Sequence, residues 1–412
     1  MSVSKVRAEV RGWLEANWDP DLPLADWRSR LADSGWGCPS WPSDCYGRGL
    51  DGEEAAVVAE EFAAVGAVGP ATGAGMALAA PTLLAHASDE LRRRLLRRIL
   101  TGEDKWCQLF SEPGNGSDLA GLTTRAVRDG DEWVVNGQKV WTTGAHQAAY
   151  GMLLARTDWD APKHRGITYF AFSMDQAGVE VRPLRQMNGR ASFNEVFLTD
   201  ARVPHANIVG DVNGGWGVAL TTLAHERGLP VARLAAVPAG VRGRTAQEAA
   251  AEAAEYAKTY EWYPQRAGRP DLLTSRAVAT GASAVHRQAV TAALSLERAA
   301  RWTVERSRAA RARGGQPGPE GSVAKLAGSE IARRSAAAHA AMTGAHAMLT
   351  GPDSPAEGVI AEIITSVPAG SIAGGTDQIQ RNIIGERALG LPREPSVDSD
   401  VPFREVRTNL RR

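Results

Sequence analysis

Glu132-Trp133-Val134-Val135-Asn136-Gly137-Gln138-Lys139-Val140-Trp141 places β-branched and aromatic residues on either side of an Asn-Gly pair. Such a pair between β-rich runs is the strongest short-range hairpin signal, since both residues accept the positive φ of a tight turn. The expectation is a hairpin turning at Asn136-Gly137. Strand texture extends outward from it, from Trp106 through Ile167–Met174, Val179–Leu184 and Asn194–Thr199 to about Pro204. Gly and Pro punctuate these runs, as in a sandwich or barrel of antiparallel strands.

On both sides of this segment the pattern turns helical. Glu53–Ala64 carries acidic residues in its first turn, and Ser88–Leu100 is amphipathic behind a Ser cap. The run Arg92, Arg93, Arg94, Arg97 and Arg98 reads as the solvated side of that helix rather than a docking face. From Gly215 the chain is Ala-rich, with helices expected at Trp216–Arg227, Asp271–Ala312, Ser322–Leu349 and Thr376–Ala388. Arg313–Gly321 reads as a break. The fold class is therefore α+β, in the order α, β, α. The expected domains are an N-terminal helical domain at 1–105, a middle β domain at 106–214, a C-terminal helical domain at 215–395 and a tail at 396–412. No repeat of solenoid length is visible.

At 412 residues the chain has room for two or three domains. Lys+Arg and Asp+Glu both number 47, which argues against a nucleic-acid partner. No run approaches the ~18 apolar residues of a membrane span, and Met1–Glu9 lacks a signal-peptide core. Cys38, Cys45 and Cys107 form neither a disulfide framework nor a metal motif. The expectation is a cytoplasmic protein with no metal site. Gly47-Arg48-Gly49-Leu50-Asp51-Gly52 has the spacing of a dinucleotide fingerprint, but the residues before it form a turn rather than a strand. It is rejected on that ground.

Chemistry concentrates in three blocks. The first is Trp106-Cys107-Gln108-Leu109-Phe110-Ser111-Glu112-Pro113-Gly114-Asn115-Gly116-Ser117-Asp118, a strand running into a tight turn with free N–H groups and small hydroxyls. The second is Trp141-Thr142-Thr143-Gly144-Ala145, and the third Ala373-Gly374-Gly375-Thr376-Asp377-Gln378-Ile379-Gln380-Arg381-Asn382. In this order and at these separations they resemble the acyl-CoA dehydrogenase superfamily. The likeness covers nearly the whole chain, from Gly35-Trp36 to the stretch ending at Pro395.

The resemblance implies an N-terminal helical domain, a middle antiparallel β-barrel and a C-terminal four-helix bundle, usually in tetramers with FAD between the last two. It implies that Gln108, Phe110 and Ser111 line the isoalloxazine, with Ser111 on the pyrimidine edge. Ser117 would touch flavin phosphates or substrate. Trp141 would pack on the ring, with Thr142 and Thr143 beside it and Thr143 near N5. Gly375, Thr376 and Gln378 would hold the flavin from the C-terminal side. The implied reaction is α,β-dehydrogenation of an acyl-CoA or acyl-carrier thioester, with electrons passed to an electron-transferring flavoprotein.

Two departures qualify this. Many members place a glutamate base just before the Gly-Thr pair; here that position is Gly374, which keeps only a backbone N–H to polarise the thioester carbonyl. Some members carry the base on the helix that here begins near Trp216, just before an arginine. That assigns the base to Glu226, with Arg227 keeping it ionised and reaching the pantetheine arm. Pro230 should kink the helix beyond it. Secondly, the arginine-led stretch that usually contacts the adenine half of FAD is missing from Ala254–Arg287, although Arg266 and Arg276 stand nearby. Two alternatives stay open: a subunit that completes a paralogue's FAD site in a hetero-tetramer, and a related flavin oxidase.

Overall fold

The computed structural model describes residues 2–228, 242–312, 319–395 and 398–406. The chain divides into two compact units. One comprises Met1–Leu184, Ala191–Thr259 and Val397–Arg412, the other Arg185–Arg190 and Tyr260–Ser396.

The first unit opens with helices α1 (Val3–Asn17), α2 (Leu24–Ser34), α3 (Gly52–Val65), α4 (Ala80–His86) and α5 (Asp89–Thr101). Local chemistry starts two of them. Asp51 and Glu54 form a reciprocal capping box on α3, and the Ser88 hydroxyl caps α5. Trp27 is fully buried against Trp13, Trp18 and Phe62, and its indole N–H reaches the Val68 carbonyl at 2.6 Å. The arginine run on α5 is the solvated side of the helix, as expected: Arg93, Arg94 and Arg98 are exposed, and Arg92 and Arg97 half-buried. From that face Arg97 also bonds Ser29 and Asp33 of α2, Arg98 bonds Asp104, and Arg94 reaches Asn207.

Seven strands follow: β1 (Trp106–Leu109), β2 (Arg125–Asp129), β3 (Glu132–Thr143), β4 (Tyr150–Arg156), β5 (Ile167–Ser173), β6 (Val179–Leu184) and β7 (Phe193–Pro204). They form one curled sheet in the order β1-β4-β2-β3-β7-β6, with β5 paired to β4. Most pairings are antiparallel, while β4 pairs in parallel with β1 and, through Arg156 and Arg125, with β2. Strands β4 and β5 are buried almost end to end, which explains their near-continuous apolar sequence.

The expected hairpin at Asn136-Gly137 is corrected. Both residues lie inside the continuous strand β3, and the turn sits earlier, at Gly130-Asp131, between paired Asp129 and Glu132. Gly130 supplies the positive φ of 62° there. Asn136-Gly137 marks an irregularity in the register against β7. Asn136 exchanges two 2.9 Å bonds with Asp200, and a Cβ at Gly137 would lie 2.4 Å from the Thr124 hydroxyl. Glycine is needed for close approach rather than for a turn.

Helices α6 (Gly215–Gly228) and α7 (Arg244–Lys258) belong to the same unit. Residues 398–406 lie against the connection between β4 and β5, where Phe403 and Arg404 donate backbone N–H groups to the carbonyls of Ala161 and Trp159. There fully buried Arg156 donates to the carbonyls of Ala120, Leu122 and Lys163 and stacks 3.4 Å from the Phe403 ring.

The second unit contains α8 (Tyr263–Arg266), α9 (Leu273–Ala279), α10 (Ala284–Ala312), α11 (Glu320–Thr343), α12 (Val359–Ser366), α13 (Pro368–Ile372) and α14 (Asp377–Arg387). The single helix expected over Asp271–Ala312 is broken: α9 ends at Ala279 and Gly281 turns left-handed at φ 62°. The helix expected over Ser322–Leu349 ends at Thr343, with Gly344 at φ 63°. One stretch, Pro355–Arg387, is long and apolar enough by composition to cross a membrane. It is divided among α12, α13 and α14.

One buried ion pair organises the first unit around the end of β1. The Lys139 ammonium, wholly buried on β3, bonds the Phe110 carbonyl at 3.0 Å and the Glu112 carboxylate at 2.9 Å. Glu112 also accepts from the backbone N–H groups of Thr123 and Thr124 at 2.7 and 2.8 Å. Burial pushes its carboxyl up, but the Lys139 charge and these hydrogen bonds outweigh it and bring it down to about 2. Burial depresses the Lys139 ammonium in turn. Lys139→Met should cost about 3–5 kcal/mol of unfolding free energy in urea at pH 7, because it strands a buried carboxylate. A folded carboxyl lowered from 4.5 to about 2 contributes stability that is complete above pH 4.5 and is lost as pH falls through 2. The deficit of the variant should therefore shrink in acid. A deficit that stays constant from pH 7 to 3 would show that the pair carries no such energy.

Candidate active site

The parallel pairing of β1 with β4 sets Gln108 opposite Met152. Beyond the strand, Phe110 is buried with its ring edge-on to Tyr169, at 5.9 Å and 86°. The Ser111 carbonyl accepts the Val140 N–H at 2.9 Å, so residues 110–112 are stitched to β3 by main chain and by Lys139. Glu112 and Asn115 exchange backbone bonds of 3.1 and 3.0 Å across Pro113-Gly114, which closes the tight turn read in the sequence. Ser117 is exposed. Its neighbour Asp118 is held by Lys163, which also grips Asp398 at 2.6 Å.

At the far end of β3, Trp141 adopts a left-handed φ of 62°, uncommon for a bulky residue. Its indole is 57% exposed and touches Phe193 edge-on. Thr142 is buried with a hydroxyl that has no hydrogen-bond partner among the described residues, and Thr143 is half-buried, paired with Phe193. A strained, exposed indole beside an unsatisfied buried hydroxyl is an arrangement that a stacked, polar-edged ring would complete. These residues fit a flavin.

Helix α6 begins tight against β5: a Cβ on Gly215 would come within 2.6 Å of the Thr168 carbonyl carbon and the Tyr169 nitrogen. Further along, Thr222 joins Thr82 of α4 at 2.9 Å and the Tyr169 hydroxyl at 3.2 Å, and Thr221 meets His86 at 2.8 Å. These contacts fix the rotation of the helix. One turn on, half-buried Glu226 accepts a hydrogen bond from Gln108 Nε2 at 3.3 Å. The expected base and an expected flavin-lining residue therefore meet directly. Arg227 lies in α6, but its side chain is outside the described residues, as is Pro230 with the kink expected there.

The C-terminal block forms a turn in the second unit. Gly374 and Gly375 are both left-handed, at φ 67° and 81°. The Gln380 amide holds their carbonyls at 3.1 and 3.3 Å, and a Cβ on Gly375 would lie 2.5 Å from that amide nitrogen. Thr376 caps α14 through its hydroxyl, and Gln378 is exposed. Buried Asp377 is clamped by Lys325 at 3.0 Å and Arg333 at 2.6 Å. Burial alone would raise its carboxyl, but these bonds hold it well below the usual range. Arg276, near the missing adenine-binding stretch, bonds Thr343 at 2.7 Å, and Arg266 lies over the rings of Trp262 and Tyr263.

Two contributors were not read from the sequence. Lys139 sits at an inward position of an alternating strand, a signal that was available. Gln380 holds the glycine turn from the first turns of the helix it precedes, a signal that needs the helix start to be known.

Residues 4–103, 107–201 and 213–389 match the profiles of the acyl-CoA dehydrogenase N-terminal, middle and C-terminal domains. The chain is 34% identical over 409 residues to acyl-CoA dehydrogenase IpdE1 of Mycobacterium tuberculosis, covering 95% of this chain and 98% of that protein. It is 39% identical over 382 residues to acyl-CoA dehydrogenase FadE34 of the same organism, covering 90% of this chain and 47% of that relative's length. Among solved structures, the ChsE4-ChsE5 complex of M. tuberculosis aligns with a TM-score of 0.63 and 27% identity, over 95% of this chain and 98% of that one. The Tcur3481-Tcur3483 steroid ACAD aligns with a TM-score of 0.64 and 25% identity, over 95% and 98%. With all three domain profiles matched in order along its length, the chain belongs to the acyl-CoA dehydrogenase family.

Proposed function

We propose that this chain is a FAD-dependent acyl-CoA dehydrogenase that uses Glu226 as its base to convert an acyl thioester to the trans-2-enoyl thioester. The observation that carries this reading is the Gln108–Glu226 bond, which brings a carboxylate to the strand whose continuation suits a flavin. Gln108, Phe110, Ser111 and Ser117 on the β1 side, with Trp141, Thr142 and Thr143 on β3, would hold the cofactor. The family resemblance assigns Gly375, Thr376 and Gln378 to the same cofactor. The bound flavin supplies a hydride acceptor for the β-carbon and a route for the electrons to an electron-transferring flavoprotein. The protein's own task is the α-proton. Glu226 accepts it, the Gly374 N–H polarises the thioester carbonyl, and Arg227 reaches the pantetheine arm.

The relatives support a reading of substrate class and assembly. One solved neighbour is the ChsE4-ChsE5 complex and another the Tcur3481-Tcur3483 steroid ACAD. The steroid ACAD supports a sterol-derived or comparably bulky acyl group here, on CoA or on a carrier protein. The two-component neighbours support a complex with a paralogous subunit; a tetramer, of copies of this chain or with that subunit, and a cytoplasmic location complete the proposal. Exposed apolar side chains favour assembly independently: Val278, Val285 and Trp302 on α9 and α10 are 79%, 77% and 61% exposed. Within Ala332–Leu349, Ala332, Ala336 and Ala338 are buried in the second unit, while Met348 and Leu349 are exposed.

Anaerobic mixing with a panel of fatty, branched and sterol-derived acyl-CoAs should bleach the flavin of the wild-type protein. Glu226→Gln should bind flavin and substrate nearly normally yet slow bleaching ~10²–10⁴-fold, the usual cost of losing a general base. Bleaching at the wild-type rate would reduce Glu226 to an ordinary helix carboxylate, and bleaching that appears only when a paralogous chain is added would favour the hetero-tetramer.

Trp141→Ala should weaken flavin binding by on the order of 1 kcal/mol, the worth of an aromatic stack beyond burial, and shift the visible spectrum. Full flavin content with an unshifted spectrum would move the cofactor away from β3. Light scattering should give a mass well above 43.8 kDa, and Trp302→Glu should lower it. A flavin-bound wild-type monomer would contradict the assembly.

A further inference from the structure

We infer that Gln108 is a positioning residue for proton abstraction, orienting the Glu226 carboxylate rather than serving chiefly as flavin lining. The inference rests on the assignment of Glu226 as base. Each partner sits on an immobilised element. Gln108 lies in β1 between fully buried Cys107 and Leu109, locked in register with β4. Glu226 lies on α6, whose rotation is set one turn earlier by the Thr82–Thr222–Tyr169 hydroxyl cluster and by His86 on Thr221. A glutamate side chain alone rotates freely about three bonds. The Nε2–H donated to Oε2 removes that freedom and leaves Oε1 as the oxygen open to a proton.

An amide N–H donor interacts more strongly with a carboxylate than with a carboxylic acid, so its removal is a change that a pH profile can read. The other groups able to affect this carboxylate are few. On its own helix, His225 and Arg227 flank it in sequence. On the packed elements, His86 of α4 and Tyr169 of β5 engage Thr221 and Thr222 instead. Gln108 is the one hydrogen-bond donor to Glu226 among the described residues.

The test compares the wild type with Gln108→Leu, Gln108→Glu and Glu226→Gln, using the acyl-CoA that bleaches the wild-type flavin fastest. Flavin content, KM, kcat and the pH profile of kcat/KM are measured for each. Gln108→Leu keeps the volume but not the donor. It should keep most of its flavin, because Phe110, Ser111, Trp141, Thr142 and Thr143 remain, keep its KM, lose about tenfold in kcat, and move the acid limb of the profile to higher pH. Gln108→Glu should move that limb further, because two carboxyls at hydrogen-bond distance cannot both ionise readily. A purely structural role would lower stability or flavin content without moving the limb. Gln108→Leu with a wild-type kcat and pH profile overturns the inference while an inactive Glu226→Gln leaves the base assignment standing. Loss of flavin in Gln108→Leu with the limb unmoved returns Gln108 to cofactor binding and likewise overturns it. A Glu226→Gln protein active at the wild-type rate removes both readings together.

Discussion

The ammonium of Lys139 is fully buried, and the geometry of the candidate site follows from where its protons go. It spends them on the Phe110 carbonyl and the Glu112 carboxylate, and Glu112 spends its remaining lone pairs on the N–H groups of Thr123 and Thr124. One charge pair thereby ties both ends of the Glu112–Thr123 loop to the middle of β3. Burying two charges is expensive, and an apolar pair of similar volume could be as stable. What the ion pair adds is specificity. Phe110, Ser111 and the Pro113-Gly114 turn have one position relative to Trp141 and Thr143, and a slip of one residue along β3 would leave a lysine unsatisfied in the core.

The removal of a carboxylate from position 374 is consistent with the backbone found there. Gly374 and its successor are left-handed, and their carbonyls are bound by Gln380. A glutamate at φ 67° would carry a strain that glycine avoids. Glu226, the proposed base, lies on a helix whose hydroxyls are interlocked with α4 and β5, in the same unit as the Gln108 amide that bonds it. Trp141 illustrates the complementary tactic: the structure holds an indole in an unfavourable backbone region and leaves it exposed. Backbone strain of this kind persists only where the surroundings over-determine it.

Much of the architecture was legible in the sequence because its causes are local. Ser88, Asp51 and Thr376 each start a helix through a side chain that bonds a backbone N–H two or three residues on. The strand segments were marked by β-branched and aromatic runs, and the three motif blocks identified the family. Readings failed where a residue has two competent local explanations. Asn136-Gly137 can turn a hairpin, and it can equally let a strand pass close to Thr124. The break at Gly281 was hidden by the helix-forming alanines around it.

By itself, then, the sequence determined the order of elements, their caps and the family, since these depend on chemistry within a few residues or on motifs read in series. Only the tertiary structure decided that Gln108 meets Glu226 across 118 positions, that Lys139 anchors Phe110 and Glu112, and that Gln380 clasps the two glycines. The physical reason is satisfaction of buried polar groups. A donor buried in the core must be paired, but which of many distant acceptors pairs with it is settled by packing, and the sequence carries no local record of that choice.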